Sequence, residues 1–253
     1  MKIKFLIQSE ENFILPLDYK YHLCKQIYKY VDLKFNKLSE GWNNSNVHDS
    51  IDLISLSQIY NLKDCENGYK FYKSYFFVSS PNNQLIATIA LKLANSSLFD
   101  GKIKILEPKP LNYPSFEKEV IFIADSIYIQ SRNEKKERIY YCVENGEKDK
   151  SFQNKKNNKY WHIKHDNKKC SEIMERMIFR KADQFKIKID SNLKISFDTS
   201  FKRAKIKNIT IKNNIKGVVS VCPVIISCDE NTMKFVYDCG VGSTTTMGLG
   251  SIQ

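Results

Sequence analysis

Two hydrophobic periodicities alternate in a fixed order along residues 2–106, and this order is the feature that most limits the folds open to the chain. Side chains repeat with a period of about 2 residues along a strand and about 3.6 along a helix. Residues 2–8 alternate apolar and polar side chains, whereas Leu85, Ile89 and Leu93 recur every four residues. The order β-α-β-β-α-β predicts a ferredoxin-like domain, in which two helices cover one face of an antiparallel sheet. The predicted elements are strands over 2–8, 52–60, 69–78 and 101–106, and helices that begin after Pro16 and after Ser80-Pro81.

A cluster of prolines follows this pattern. Pro108, Pro110 and Pro114, half of the chain's six prolines, lie within seven residues. Proline has no backbone N–H and fixes φ, so it is tolerated poorly inside strands and helices. We therefore expect no element to continue through this segment and interpret it as a linker. The predicted division is an N-terminal domain over 1–109, a linker over 110–117 and a C-terminal domain over 118–253.

The second half of the chain contains a similar order of elements, interrupted by a charged, Asn- and Lys-rich segment over residues 132–169. This order fits a second ferredoxin-like domain that carries an extra hairpin and a Gly-rich C-terminal loop. The fold class predicted from the sequence is therefore α+β, with two tandem ferredoxin-like (βαββαβ, RRM-like) domains. The predicted strands are 120–129, 138–143, 185–189, 194–197, 202–211 and 217–226, and the predicted helices are 171–182 and 231–239.

The balance of charge points to a polyanionic partner. The 253 residues include 40 Lys and Arg against 28 Asp and Glu, which gives a net charge of +12 and a pI near 9.2. This charge favours nucleic acid, although a generally Lys-rich proteome would produce the same excess. No apolar run reaches the roughly 18 residues that cross a membrane, and the alternating N-terminus differs from a signal peptide. Seven cysteines without a paired Cys-x-x-Cys motif are typical of reduced thiols, so we expect a cytoplasmic protein that binds no membrane.

Four of the nine glycines fall within residues 240–250. Glycine tolerates positive φ and lets another backbone approach closely, so the cluster predicts a loop. We expect exposed N–H groups of this loop to face an anion such as a phosphate, although a tight connection between a helix and an edge strand fits as well. The run lacks the spacing of a dinucleotide-binding fingerprint and the Gly-Lys-Ser/Thr of a P-loop. The residues predicted to bind here are Gly240, Gly242, Ser243, Thr244, Thr245, Gly248 and Gly250.

Two separated segments together resemble one family. The first, residues 15–28, has a proline that opens a helix ending in the pair Ile27-Tyr28. The second leads from the basic run Lys202-Arg203-Ala204 through a predicted helix to the Gly-hydrophobic-Gly motifs at 240–242 and 248–250. In this combination the chain resembles the CRISPR-associated endoribonucleases of the RAMP superfamily, which cut repeat RNA into guide RNAs. The resemblance spans essentially the whole chain and is strongest at its ends.

The resemblance implies two tandem ferredoxin-like domains and RNA cleavage without a metal ion or other cofactor. The 2′-hydroxyl on the 5′ side of the cut attacks the adjacent phosphate and leaves a 2′,3′-cyclic phosphate and a 5′-hydroxyl. This reaction needs a general base, a general acid and positive charge on the pentavalent phosphorane. The implied partner is CRISPR repeat RNA within a precursor transcript (pre-crRNA). The sequence leaves open whether the product is handed to a CRISPR effector complex and whether the chain forms a homodimer.

The candidate catalytic residues follow from the same resemblance. Members of the family carry a histidine just after the first helix, and histidine suits acid or base work because its ordinary pKa is about 6.5. Here Ser39 stands at the matching place, and His48 follows nine residues later in the same predicted loop. We therefore predict His48 as the acid or base, with Ser39, Tyr28 and Lys37 as further members of the site. An exposed loop histidine, a tyrosine packed on its helix and a solvated lysine are the alternatives.

A predicted strand over 202–211 is the clearest basic element. Its alternation places Arg203, Lys205 and Lys207 on one face. Three cations on one face of a hairpin can follow a phosphate backbone or enter an RNA groove. A solvated edge strand, charged against aggregation, is the alternative. The residues of this element predicted to bind RNA are Lys202, Arg203, Lys205 and Lys207.

Two other functions are compatible with the sequence. Because Ser39 replaces the family's histidine, the protein could hold repeat RNA without cutting it, as a RAMP protein or as a subunit of an effector complex. A metal-dependent nuclease is the second alternative, but the acidic residues of 49–64 form no clustered carboxylate set. His162, His165 and Cys170 are too few for a zinc site, so we expect no bound metal.

Overall fold

Two antiparallel sheets, each with helices packed on it, make up most of what the structure describes. The computed structural model describes residues 1–11, 13–30, 54–94, 96–129, 131–132, 138–139, 167–212, 215–243 and 245–253. The strands are β1 (Lys2–Ser9), β2 (Ser55–Leu56), β3 (Lys63–Cys65), β4 (Gly68–Lys70), β5 (Lys73–Ser79), β6 (Ser97–Leu98), β7 (Ile103–Leu111), β8 (Glu119–Ile127), β9 (Ser131–Arg132), β10 (Arg138–Ile139), β11 (Lys194–Phe197), β12 (Lys205–Lys212) and β13 (Ile215–Ser227). The helices are α1 (Tyr19–Tyr28), α2 (Asn83–Leu93), α3 (Asn167–Phe185) and α4 (Glu230–Cys239), followed by a 3-10 turn (Thr245–Met247).

The N-terminal sheet has the strand order β2-β5-β1-β7-β6. β1 lies in its centre and runs antiparallel to both β5 and β7. The alternating residues Ile3, Phe5 and Ile7 of β1 are buried in one core with Leu23 of α1 and Ile89 of α2. Because both helices share a core with the same face of β1, they cover one side of the sheet. The ferredoxin-like arrangement predicted for this half is confirmed.

The C-terminal sheet is built around the long strand β13. One edge of β13 pairs with β8. The other edge pairs with β12 over residues 215–221 and with β11 over residues 224–227. Beyond β8, Ala124 and Ile252 form an isolated bridge at the place of the last strand of a ferredoxin-like sheet. Ile173 of α3 and Val236 of α4 pack in the core on one face. The second predicted ferredoxin-like domain is confirmed, and its extra strand is β12, which forms a hairpin with the first half of β13.

Side-chain caps define where two of the helices begin. Asn82 accepts a hydrogen bond from the Leu85 N–H at 3.0 Å, and α2 starts directly after it. Asp229 accepts from the Thr232 N–H at 2.7 Å at the start of α4. Such caps satisfy N–H groups that have no partner inside the helix. Both helices therefore begin within a few residues of the predicted positions.

The expectation that no element passes through Pro108 and Pro110 is wrong. β7 runs to Leu111, and both prolines lie opposite residues of β1. β6 pairs only with the beginning of β7, so the outer edge of β7 at the prolines faces no other described strand. Proline is tolerated there because an edge does not need the missing N–H. Residues 112–118 connect the two sheets, and the predicted division into domains stays a prediction.

Three further predicted strands differ from the structure. Residues 185–189 form no strand, because α3 continues through the first of them and the chain turns directly afterwards. Lys202 and Arg203 lie in the turn before β12, so the alternation of that strand begins only at Lys205. The sequence predicted that Arg203 shares a strand face with Lys205 and Lys207, and this prediction is wrong. The predicted strand over 69–78 is divided between β4 and β5.

Candidate nucleic-acid interface

The glycine-rich segment 240–250 is folded into the interior. All of its described residues are buried, while Thr244 lies outside the described part of the chain. The Val241 N–H donates to the Gly250 carbonyl at 2.7 Å, and the Ser243 N–H donates to the Tyr128 carbonyl at 2.7 Å. The expectation that the N–H groups of this loop are exposed is therefore wrong. RNA binding by its residues stays a prediction.

Two of these glycines are required by close approach. Gly250 has φ +83°, and a Cβ on it would lie 1.6 Å from the Val241 carbonyl oxygen. Gly240 has φ +66°, and a Cβ there would lie 2.6 Å from the Ser55 Oγ of β2. Both positions combine a left-handed backbone with backbone or side-chain atoms that leave no space for a methyl group. The loop therefore packs tightly on itself and on the N-terminal sheet.

Two lysines bind the oxygen atoms of this loop. The Lys20 Nζ of α1 donates to the Gly248 carbonyl at 3.0 Å. The Lys181 Nζ of α3, a residue with only 2% of its surface exposed, donates to the Cys239 carbonyl at 3.3 Å and to Thr245 Oγ1 at 3.2 Å. Because each lysine belongs to a different half of the chain, the loop joins the two halves. Sequence reasoning missed both residues, although Lys20 lies within the segment 15–28 that carries the family resemblance.

A buried carboxylate on α4 forms a second connection between the two halves. Asp238 accepts hydrogen bonds from the Met1 amine and from the Tyr113 hydroxyl, and its backbone carbonyl accepts from Ser79 Oγ at 2.8 Å. Burial raises the pKa of the Asp238 carboxyl above its ordinary value, although the Met1 ammonium acts in the opposite direction. Burial also raises the pKa of the Tyr113 hydroxyl. A single acidic residue within the apolar run 235–239 was the signal that could have identified this contact.

Only one of the four predicted catalytic residues lies in the described part of the chain. Tyr28 is half-buried at the end of α1 and packs against the N-terminal core. His48, Ser39 and Lys37 lie outside the described residues, so their grouping with Tyr28 stays a prediction. α1, which precedes them, and β2, which follows them, both contact the 3-10 turn of the glycine-rich segment.

The predicted basic element is exposed as expected. Lys202, Arg203, Lys205 and Lys207 are all exposed, and within the described ranges no ion pair involves them. Lys205 and Lys207 lie on one face of β12, while the other two lie in the preceding turn. Four exposed cations for which the described residues provide no ion-pair partner form a surface suited to a polyanion.

A cleft with a volume of about 380 Å³ opens beside this basic strand. It lies between the start of α1, the segment 58–62 that follows β2, and residues 207–210 of β12. The walls combine aromatic rings, such as Tyr60, with amide side chains and the amine of Lys207. Sequence reasoning missed this cleft, because its walls come from segments that lie far apart in the chain.

The described residues contain no group of three or more His, Cys, Asp or Glu side chains that could hold a metal ion. Among them, no helix is long and apolar enough to cross a membrane. All the cysteines that the structure describes are free, and all but Cys65 are buried.

Comparison with known proteins assigns the chain to a family. A relative from Methanocaldococcus jannaschii named CRISPR-associated endoribonuclease Cas6 1 is 24% identical over 263 residues, an alignment that covers 100% of this chain and 92% of the relative. A solved structure described as a RAMP protein binding different RNA substrates has a TM-score of 0.72 at 17% identity, covering 100% of this chain and 98% of that one. A Cas6-related protein from Pyrococcus furiosus has a TM-score of 0.69 at 17% identity, with coverage of 100% and 97%.

The solved structures share the fold of two ferredoxin-like domains described above. The family model for the C-terminal part of CRISPR associated protein Cas6 matches residues 111–253. This range includes the whole C-terminal sheet, the basic strand β12 and the glycine-rich segment. Because the match extends over more than half of the 253 residues, the chain belongs to the Cas6 family of CRISPR-associated proteins.

Proposed function

We propose that this protein is an endoribonuclease that binds CRISPR repeat RNA and cuts precursor transcripts into guide RNAs without a metal ion. The observation that carries the proposal is the similarity, over the full length of this chain, to a relative named as a CRISPR-associated endoribonuclease. The exposed cations of β12 and of the turn before it are the surface that suits the RNA backbone. The net charge of +12 supports the same partner.

The proposed reaction is a transesterification within the RNA. A general base removes the proton of the 2′-hydroxyl, the 2′-oxygen forms a bond to the phosphorus, and the bond from phosphorus to the 5′-oxygen breaks. A general acid gives its proton to the departing 5′-oxygen, so the products are a 2′,3′-cyclic phosphate and a 5′-hydroxyl. No water, metal ion or redox partner enters the balance. A well-placed acid or base contributes about 10²–10⁴-fold to such a rate.

We assign the proton transfer to His48, because the ordinary pKa of histidine lets it accept or donate a proton near neutral pH. Tyr28 and Ser39 supply hydroxyl groups to the site, and Lys37 supplies positive charge for the phosphorane. The support for this grouping is that the chain leaves α1 at Tyr28 and returns at β2, and that both elements contact the 3-10 turn.

The experiment uses the purified protein and the repeat RNA of its own CRISPR array, labelled at the 5′ end, in the presence of EDTA. We expect cleavage at one position and a product that carries a 2′,3′-cyclic phosphate. Replacing the 2′-hydroxyl at that position with hydrogen should abolish cleavage. His48→Ala should reduce the cleavage rate by about 10²-fold or more while repeat-RNA binding is retained.

His22→Ala is the matched control. His22 lies on α1, partly exposed, where its Nε2 is 3.4 Å from Asp18, and it has no assigned role in the reaction. The control should cut at the wild-type rate. Loss of cleavage in EDTA would instead support a metal-dependent nuclease.

A non-cleaving RNA-binding protein is the second candidate, and the observation that favours it is Ser39 at the place of the family's histidine. In that case the wild type would bind repeat RNA with a strong dependence on salt and would leave it intact. Handover of the RNA to an effector complex and formation of a homodimer are compatible with either candidate.

A further inference from the structure

We propose that Phe201, in the turn between β11 and β12, is a platform on which one unpaired base of the RNA stacks. This inference rests on the proposed function in that the ligand is RNA. It adds a contact with a base to a turn whose predicted role depends on positive charge alone.

The Phe201 side chain takes no part in the hydrophobic cores. With 43% of its surface exposed, the residue packs in no hydrophobic cluster and against no aromatic ring among the described residues. A single exposed apolar side chain is common and needs no partner by itself. The neighbours distinguish Phe201, because the exposed Lys202 and Arg203 follow it directly. An open aromatic ring beside cations is the combination that single-stranded RNA recognises.

The backbone of this turn is ordered before any ligand binds. The Phe201 N–H donates to the Asp198 carbonyl at 3.3 Å, and the Phe201 carbonyl accepts from the Ala204 N–H at 2.8 Å. The Asp198 carboxylate accepts from the Ser200 N–H at 3.1 Å, as in an Asx turn. The turn is fixed to β13, since the Asp198 N–H donates to the Pro223 carbonyl at 3.1 Å. Because the chain around the ring is already fixed, stacking loses little free energy to ordering it.

The charge around the ring favours RNA over an apolar protein surface. Residues 198–207 contain one acidic residue, Asp198, against the four cations Lys202, Arg203, Lys205 and Lys207. A protein surface laid over Phe201 would take Lys202 and Arg203 out of water, which costs free energy. A base instead offers an uncharged face to the ring, while the phosphates on either side of it offer negative charge to the cations.

We expect the stacked base to be unpaired. In a duplex the neighbouring pairs cover both faces of a base, whereas the bases of loops and single strands can stack on aromatic side chains. Such stacking tolerates every base, because each has a π-face. The platform therefore selects for an unpaired nucleotide at one position of the RNA and not for a particular base there.

The platform is separate from the cleft described above and from the proposed catalytic residues. Residues 207–210 of β12 line the cleft, whereas Phe201 lies in the turn before that strand begins. The turn is attached to the C-terminal sheet, where the Cys222 thiol also donates to the Asp198 carbonyl at 2.9 Å. Loss of the ring should therefore weaken RNA binding without changing the rate at which bound RNA is cut.

The experiment measures the Kd for repeat RNA that carries a 2′-deoxy nucleotide at the cut, which prevents cleavage. Phe201→Ala and Phe201→Leu should each raise the Kd by about ten-fold, because neither offers a π-face. Phe201→Trp keeps an aromatic ring and should bind as the wild type does. The slope of log K against log salt concentration should be the same in all of these proteins, because no charge is removed.

A double-mutant cycle then identifies the base. Each unpaired nucleotide of the repeat is replaced in turn with an abasic one, and the Kd is measured for the wild type and for Phe201→Ala. In the wild type one abasic position should weaken binding by about ten-fold. The same position should cause no further loss in Phe201→Ala, since the ring and the base act through one contact.

Ile187→Ala is the matched control. Ile187 is an apolar residue with 37% of its surface exposed, and it lies between the exposed Lys186 and Lys188. It therefore has flanking cations as Phe201 does, but no ring. It should reproduce every wild-type Kd.

The inference is overturned if Phe201→Ala binds repeat RNA as tightly as the wild type, or if its effect adds to that of every abasic position. Wild-type binding by Phe201→Leu would also overturn it, because an apolar side chain without a ring would then be enough. Loss of a protein partner from Phe201→Ala at an unchanged Kd for RNA would assign the ring to that protein instead. A wild type that binds repeat RNA without cutting it would overturn the proposed cleavage alone, since the Kd values would still decide the inference. A wild type that binds no RNA would overturn both.

Discussion

Replacing Gly250 with alanine tests whether the two ends of the glycine-rich segment pack tightly on each other. Gly250 has φ +83°, and the nearest atoms to a new Cβ would be the carbonyl oxygen and carbon of Val241 at 1.6 and 2.8 Å. Both are backbone atoms, so no rotation of a side chain can relieve the overlap. Gly101 is the matched control, because it has φ +90° and nothing within 4 Å of a new Cβ.

The magnitude follows from the difference between these two positions. An alanine at positive φ costs about 1–2 kcal/mol in either place. At Gly250 the overlap must also separate the loop, which breaks the 2.7 Å hydrogen bond from the Val241 N–H to the Gly250 carbonyl and costs about 0.5–1.5 kcal/mol. Displacement of buried neighbours adds about 1–3 kcal/mol. Gly250→Ala should therefore lose roughly 2–4 kcal/mol more than Gly101→Ala, against a total stability of about 5–15 kcal/mol.

The assay is equilibrium unfolding in urea, with the free energy of unfolding extrapolated to water for the wild type and both variants. Gly101→Ala should lose only the backbone term, and repeat-RNA binding measured in parallel should remain unchanged. The reasoning is refuted if Gly250→Ala and Gly101→Ala unfold at the same urea concentration. That result would mean that the backbones at Val241 and Gly250 can separate at no cost, as they could in a loosely packed, exposed loop.

Three further predictions concern single side chains. Burial raises the pKa of Asp238, so the folded protein keeps a proton that the unfolded chain releases, and the free energy of unfolding should fall as pH rises through that raised pKa. Asp238→Asn should remove this part of the pH dependence, measured by urea unfolding at several pH values. A variant with the same pH dependence as the wild type would contradict the prediction. Lys207→Ala should make the negative slope of log K for repeat-RNA binding against log salt concentration shallower by about 0.7, the value for one phosphate contact to single-stranded RNA. An unchanged slope in filter binding would exclude that contact. Ser55 Oγ is buried and has no hydrogen-bond partner among the residues that the structure describes, so Ser55→Ala should raise the free energy of unfolding by about 1 kcal/mol. A loss measured by urea unfolding would show that the hydroxyl has a partner.

The burial of the glycine-rich segment changes how this part of the chain contributes to RNA processing. Lys20 of α1 and Lys181 of α3 bind its oxygen atoms from different domains. The segment therefore sets the position of α1 relative to the C-terminal sheet, and α1 carries Tyr28. On the proposed function, its role is to position the groups that cut, and the exposed cations around β12 bind the backbone.

The sequence pattern predicted β1 correctly but failed at the proline-rich part of β7. Periodicity predicted β1 and the strands around it because each buries one face, and the spacing of apolar residues records that burial directly. Whether a strand tolerates Pro108 and Pro110 depends instead on which of its edges has a neighbour, and the short β6 leaves that edge open. That information lies in the pairing of strands and is absent from the local sequence.

The same distinction applies to the candidate sites. Local sequence was enough to predict most of the order of elements, the basic residues of β12 and a loop at glycines 240, 242, 248 and 250, which adopt positive φ. These are properties of local chain chemistry. Tertiary structure decided that the loop faces inward, that Asp238 meets Met1 and Tyr113, and that segment 58–62 and β12 form one cleft. Each of these contacts joins residues that lie far apart in the chain. Their proximity arises only when the two halves of the chain pack together, and no local periodicity encodes it.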